Sequence, residues 1–206
     1  MQRSQTEVEA ASGALALLGQ PPIADLTQAT AGARAAASRF ADVRDALLRA
    51  YDWNFAAAWD RPARDPQSAL GPLTNRFPLP DDCLLVRGVD GLETDEWAVE
   101  AAAAQVGAEA GSRMVLATNA DTVLVSYTRR VENPAQWDAL FLDVFQLRLA
   151  AALAPMIGAD PGKGAELANR AEAMLLPAKR RDAREKARAQ VSRSTSWLDA
   201  RRSGWR

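Results

Sequence analysis

The most apolar stretch of the chain follows Pro134, where Trp137, Leu140, Phe141, Val144, Phe145, Leu149, Ala152, Leu153 and Met156 recur at helical spacing. A helix carrying so many large side chains must be surrounded, so the stripe predicts a central core helix with other elements packed around it. Suitable neighbours lie on both sides. Thr6 to Leu18 repeats Val8, Ala11, Leu15 and Leu18, opens with Thr6 and Glu9 at capping-box spacing, and stops at Gly19-Gln-Pro-Pro. From Thr30 to Tyr51 a second stripe runs through Ala33, Ala36, Ala37, Phe40, Val43, Leu47 and Leu48, with Arg34, Asp42, Arg44, Asp45 and Arg49 largely outside it. Pro161 opens a fourth helix through Leu167, Ala171, Met174 and Leu175 that turns strongly charged beyond Pro177. The 44 alanines agree with this helical reading, since alanine is the best helix former.

Between the second and third helices the period changes. Pro62, Pro66, Pro72, Pro78 and Pro80 remove backbone donors and predict a linker or extended arm over 61–80. Leu84 to Val89, Glu96 to Glu100, Arg113 to Thr118 and Thr122 to Arg129 are short, rich in β-branched or aromatic residues and separated by turn residues. They predict a small antiparallel sheet, with Asn119-Ala-Asp121 as a hairpin connection between the last two strands. Ala101 to Ala110 reads equally as a short helix or a strand-flanking loop. The expected class is α+β, mainly α. A bundle of about four helices (1–60 and 134–191) carries an extended arm and a small antiparallel β lobe (61–133) between helices 2 and 3, and a C-terminal tail (192–206) follows.

Charge narrows the function. The 25 Lys and Arg nearly balance 26 Asp and Glu, and the net charge of -1 excludes a uniformly basic nucleic-acid binder. The balance hides a division: 179–206 holds ten Lys or Arg against three Asp or Glu, net +7, leaving net -8 on 1–178. The chain has no His, which removes imidazole acid–base chemistry, His ligands and His-based triads, and its one cysteine, Cys83, cannot form an internal disulfide. An intracellular setting is the default expectation. The N-terminus lacks the basic start of a signal peptide, and the apolar run Leu149 to Ala159 falls short of the roughly 20 residues of a membrane span.

Candidate chemistry is sparse. Gly158-Ala-Asp-Pro-Gly-Lys-Gly164 looks briefly like a phosphate loop, but a Walker loop has four residues before Gly-Lys, then Ser or Thr, and follows a strand; a turn between helices is the better reading. Asp81 and Asp82, or Glu93, Asp95 and Glu96, could supply the two carboxylates of a glycoside hydrolase, although such residues more often cap turns. Cys83 has no His to activate it and reads as a core residue. Tyr51, Trp53, Phe55 and Trp59 fit packing of the second helix's end against the sheet, and no Lys or Arg interleaves them as a base-stacking surface would require. No catalytic, metal-ligating or cofactor-binding residue is assigned. The segment from Ser192 is too polar to hold a core, yet it bears Trp197 and Trp205, which suggests ordering on a partner; a solvated terminus is the plain alternative.

Several segments together resemble the head-to-tail adaptor, or tail tubular protein A, family of tailed bacteriophages. They are Ala14-Leu-Ala-Leu-Leu-Gly19 with Ile23-Ala-Asp-Leu26, the helix end Arg44-Asp-Ala-Leu-Leu-Arg-Ala-Tyr-Asp-Trp-Asn-Phe-Ala56, and Phe77-Pro-Leu-Pro-Asp-Asp-Cys-Leu84. Val125-Ser-Tyr-Thr-Arg-Arg-Val-Glu-Asn-Pro134, leading to Trp137-Asp-Ala-Leu-Phe141 and Leu149-Ala-Ala-Ala-Leu-Ala154, resembles the family's final strand and core helix. The resemblance covers most of 7–188, while the segment between Cys83 and Tyr127 looks shorter than in many of its members. It implies a virion protein made in the host cytoplasm, with no enzymatic activity. It implies a homo-oligomeric ring, usually of twelve copies, docked under the portal protein and joined to a downstream tail or nozzle protein. Genomic DNA would pass without sequence-specific binding, and no membrane is involved.

A body at net -8 suits a channel through which DNA slides, because it offers few cation contacts to phosphates. The basic tail then reads as a portal-docking element, with Arg193, Trp197, Leu198, Arg201, Arg202, Trp205 and Arg206 as its contact residues. Two other classes stay open. One is a DNA-binding accessory protein acting through Lys179 to Arg206, and the other is a carboxylate-dependent entry hydrolase using Asp81 or Asp82.

Overall fold

The computed structural model describes residues 6–66, 72–103 and 112–190. The chain is α+β and mainly α, with four helices and two small antiparallel three-stranded sheets among the described residues. Helix α1 spans Glu7–Leu17. Its capping box forms as the sequence predicts: Thr6 Oγ1 accepts from Glu9 N–H at 3.2 Å, and Glu9 Oε2 accepts from Thr6 N–H at 2.9 Å. Gly19, at φ 69°, ends the following turn in the left-handed region that glycine tolerates. Helix α2 spans Ala31–Arg49, with the Thr30 side chain capping Ala33 N–H.

Helix α3, Ala139–Leu153, is the predicted core helix but starts later than the stripe suggests. Asp138 accepts from the N–H groups of Leu140 and Phe141 and so acts as N-cap, leaving Trp137 in extended backbone after a short 3-10 turn at Pro134–Gln136. Met156, which the sequence places in the stripe, lies beyond the helix end and is 49% exposed. Helix α4, Pro161–Gln190, includes Pro177 in its interior and continues through the charged half.

An aromatic cluster centres the body. Phe141 makes edge contacts with Trp53, Phe55 and Trp137 at centroid distances of 5.1, 5.0 and 5.2 Å, and Phe145 does the same with Phe40 and Trp137. The buried indoles are satisfied, because Trp53 Nε1 donates to Leu47 O and Trp137 Nε1 to Val131 O. Around this cluster alanine fills the helix contacts: Ala10, Ala14, Ala36, Ala150 and Ala171 are at most 1% exposed, which lets helix axes approach closely.

The lobe departs from the predicted single sheet. Strand β1 (Ala57–Asp60) pairs with β6 (Val125–Arg129), which pairs with β3 (Cys83–Val89). Strand β2 (Asn75–Pro78) pairs with β5 (Ser112–Thr118), which pairs with β4 (Trp97–Ala103). Strands β5 and β6 therefore belong to different sheets, and Asn119-Ala-Asp121 is no hairpin. Hydrogen bonds to β2 redirect this segment: Asn75 Nδ2 donates to Ala120 O at 2.9 Å, and Thr74 N–H donates to Asn119 Oδ1 at 3.0 Å. Trp59 also corrects the packing expectation, being 63% exposed on edge strand β1, whereas Trp53 packs into the helical core. The sequence's ambiguity at 101–110 resolves to strand as far as Ala103, and the rest lies outside the described residues.

Candidate functional site

The second half of α4 is fastened to the body by two charged side chains. Lys179 Nζ donates to Ala50 O at 3.1 Å and sits 5.5 Å from the Tyr51 ring centroid, placing a cation at the carbonyl end of α2. Tyr51 Oη in turn donates to Lys179 O at 3.2 Å. One turn further, Asp182 Oδ1 accepts from Asn54 N–H at 3.0 Å, while Asn54 Nδ2 donates to Asp182 O. Asp182 is only 9% exposed, and its Oδ2 is buried without a hydrogen-bond partner. Burial pushes its carboxyl above the usual carboxylate range; the Asn54 bond opposes this, and Glu185 and Asp138 add to it.

With those contacts made inward, Arg180, Arg181 and Arg184 remain outward and exposed. They line a cleft of about 560 Å³ with Leu140, Pro177 and Glu185, and Leu176 nearby is 53% exposed. The surface is basic with an apolar floor, at the end of the helix that leads into the predicted docking tail. The tail residues Arg193, Trp197, Leu198, Arg201, Arg202, Trp205 and Arg206 lie outside the described residues.

Of the other candidates, Asp82 and Glu96 form structural contacts, while the Asp81, Glu93 and Asp95 side chains are exposed. Asp82 O accepts from Arg130 N–H, and its Oδ1 accepts from Tyr127 Oη at 3.3 Å; burial first, then Asp82, pushes the Tyr127 hydroxyl up to about 12. Glu96 Oε2 accepts from Glu93 N–H at 2.7 Å in an exposed turn, as a capping carboxylate does. Burial pushes the Cys83 thiol up to about 11, with Asp82 adding, so it is held as a thiol. At 158–164, Asp160 Oδ1 accepts from Gly162 N–H and Lys163 pairs with Glu166 at 3.2 Å, which is a helix start after a turn.

Among the described residues, no group of three or more His, Cys, Asp or Glu is placed to hold a metal ion, and no helix is long and apolar enough to cross a membrane. The sequence reading missed Asp182 and Asn54. The signal was there: Leu167, Ala171, Leu175, Ala178 and Asp182 continue one buried face at helical spacing. No protein-family model matches the chain, and no curated protein matches it significantly.

Proposed function

We propose that this chain is a structural head-to-tail adaptor of a tailed bacteriophage, forming a ring under the portal that continues the DNA channel and gives the tail its attachment site. The observation that carries the proposal is the order of elements, a helical body interrupted by a β lobe between α2 and α3 and closed by one long helix ending at Gln190. This order accommodates all the segments of the resemblance. The outward arginines of α4 extend the basic character of the tail onto the folded body and provide a surface for an acidic portal.

Deleting Ser192 to Arg206 tests the docking role. The truncated chain should keep the helical content of the full chain but fail to attach to DNA-filled heads, and attachment equal to that of the full chain would end the docking role. A second reading is a DNA-binding accessory protein, favoured by the exposed row Arg180, Arg181 and Arg184. It requires binding to duplex DNA that weakens steeply between 50 and 200 mM salt.

A further inference from the structure

The edge strands are β1 and β3 in one sheet, β2 and β4 in the other. Three of these edges are blunted in ways that stop a further strand from adding. Strand β1 is only four residues long, with Pro62 soon after its end. Strand β2 is equally short, ends in Pro78, and its Arg76 O accepts from Asp65 N–H at 2.7 Å. Strand β3 has two register irregularities, and its Leu84 O accepts from Arg49 Nη1. Strand β4 differs. It keeps unbroken register with β5 from Trp97 to Ala103, has neither Pro nor Lys, and among the described residues nothing is hydrogen-bonded along its outer side.

The direction of its free groups follows from β5. Leu79 N–H donates to Met114 O at 3.1 Å, so the Met114 main chain bonds toward β2. Bonding sides alternate along an antiparallel ladder. Ala101, opposite Met114, and with it Val99 and Trp97, therefore point their N–H and C=O groups away from β5. Val99 is 40% exposed and Met114 50%, so the same edge also shows apolar side chains.

We propose that this edge pairs with the same edge of a second copy of the chain, antiparallel about Val99. A two-fold axis there sets Val99 opposite Val99 and Trp97 opposite Ala101, so each outward donor meets an outward acceptor. Charge selects both occupant and register. Glu100 is the one charge in β4, and Arg76 at 3.7 Å offsets it, so like edges meet without net repulsion. Centring on Val99 sets Glu100 opposite Ala98, whereas centring on Glu100 would oppose two carboxylates. Trp97 of the second copy then lies beside Ala101 and Met114 and covers the exposed apolar side chains. A two-fold contact closes on itself and does not propagate into a ring, so it belongs to the free chain and stands independently of the adaptor reading.

The contact falls in the class of small, transient interfaces, for which a dissociation constant of about 0.1 mM is expected. The test follows the full-length chain by NMR from about 0.05 to about 1 mM, over which amide exchange at Trp97, Val99 and Ala101 should slow about threefold. A mixture of 13C-labelled and unlabelled chain should show intermolecular Hα–Hα contacts between Ala98 and Glu100, the closest pair in this register. Val99→Pro removes an outward donor and no bond to β5, and should abolish the concentration dependence. Val99→Lys puts a charge on the edge, should do the same, and carries the test if the proline variant fails to fold. Trp59→Ser, on edge strand β1, should leave association unchanged. Exchange at Val99 and Ala101 that is independent of concentration in the parent chain overturns the proposal. So does association that survives Val99→Lys or is lost in Trp59→Ser.

Discussion

Among the described residues, twenty-eight buried ones form one cluster centred on the helical body, including two tryptophans and three phenylalanines, whereas five form the second cluster in the lobe: Phe77, Val89, Leu116, Val123 and Val125. Sheet β1-β6-β3 joins the two regions. Its Leu84 lies in the first cluster, its Val89 and Val125 in the second, and Arg87 ties it to the body by donating to Trp53 O at 2.7 Å. Among the described residues, sheet β2-β5-β4 contributes none to the helical core cluster; it relies on strand pairing, on the small cluster through Phe77 and Leu116, and on ion pairs such as Arg76–Glu100 at 3.7 Å and Arg113–Asp65. The difference teaches that the body is a rigid platform by its packing. The outer sheet is held by a small apolar cluster, with Phe77 and Leu116 packed against Val89 and Val125 of the inner sheet, and by strand hydrogen bonds, so local opening there breaks less buried surface than in the body.

Phe141→Ala gives the sharpest break on the body side. It removes the ring that touches Trp53, Phe55 and Trp137 and should cost about 3–5 kcal/mol in denaturant melts. A loss below about 1 kcal/mol would show that the aromatic cluster is not the body's centre. On the lobe side, Leu116→Ala should cost about 2–3 kcal/mol, and hydrogen exchange should localise the loss to β2, β4 and β5. Equal loss of protection in α3 would mean that lobe and body open as one unit. The smallest effect belongs to Thr6→Ala, which removes half of a capping box and should cost about 1 kcal/mol, read as faster exchange in the first turn of α1 alone.

The same division explains what the residues reveal without a structure. The body's helices, capping box and core stripe are legible because helical periodicity and caps are local, and Thr6, Phe40 and Phe141 each act as their neighbours in sequence imply. Lobe pairing is not local. The segments Ala57–Asp60 and Asn75–Pro78 are four residues long, one trailing an aromatic run and the other ending in Pro78, so neither shows alternation strong enough to mark a strand. The assignment of Asn119-Ala-Asp121 to a hairpin failed because consecutive strands were expected to pair, whereas side-chain bonds from Thr74 and Asn75 hold that segment beside β2. Asp182 escaped notice because a charge within a charged helix half looks solvated until the buried face is counted through Ala178. At the candidate site, the composition of the basic end was legible but its orientation was not. Lys179 turns inward to cap α2, leaving Arg180, Arg181 and Arg184 outside.

The adaptor proposal rests on the order of elements, and in it the helical body should serve as a repeated ring subunit, with the basic end of α4 toward the portal. A density map of purified phage particles that carry this chain measures that directly. The account predicts a closed ring of this fold at the head–tail junction, with the α4 arginines facing portal density. Particles complete with portal and tail but lacking the chain at that junction would contradict it.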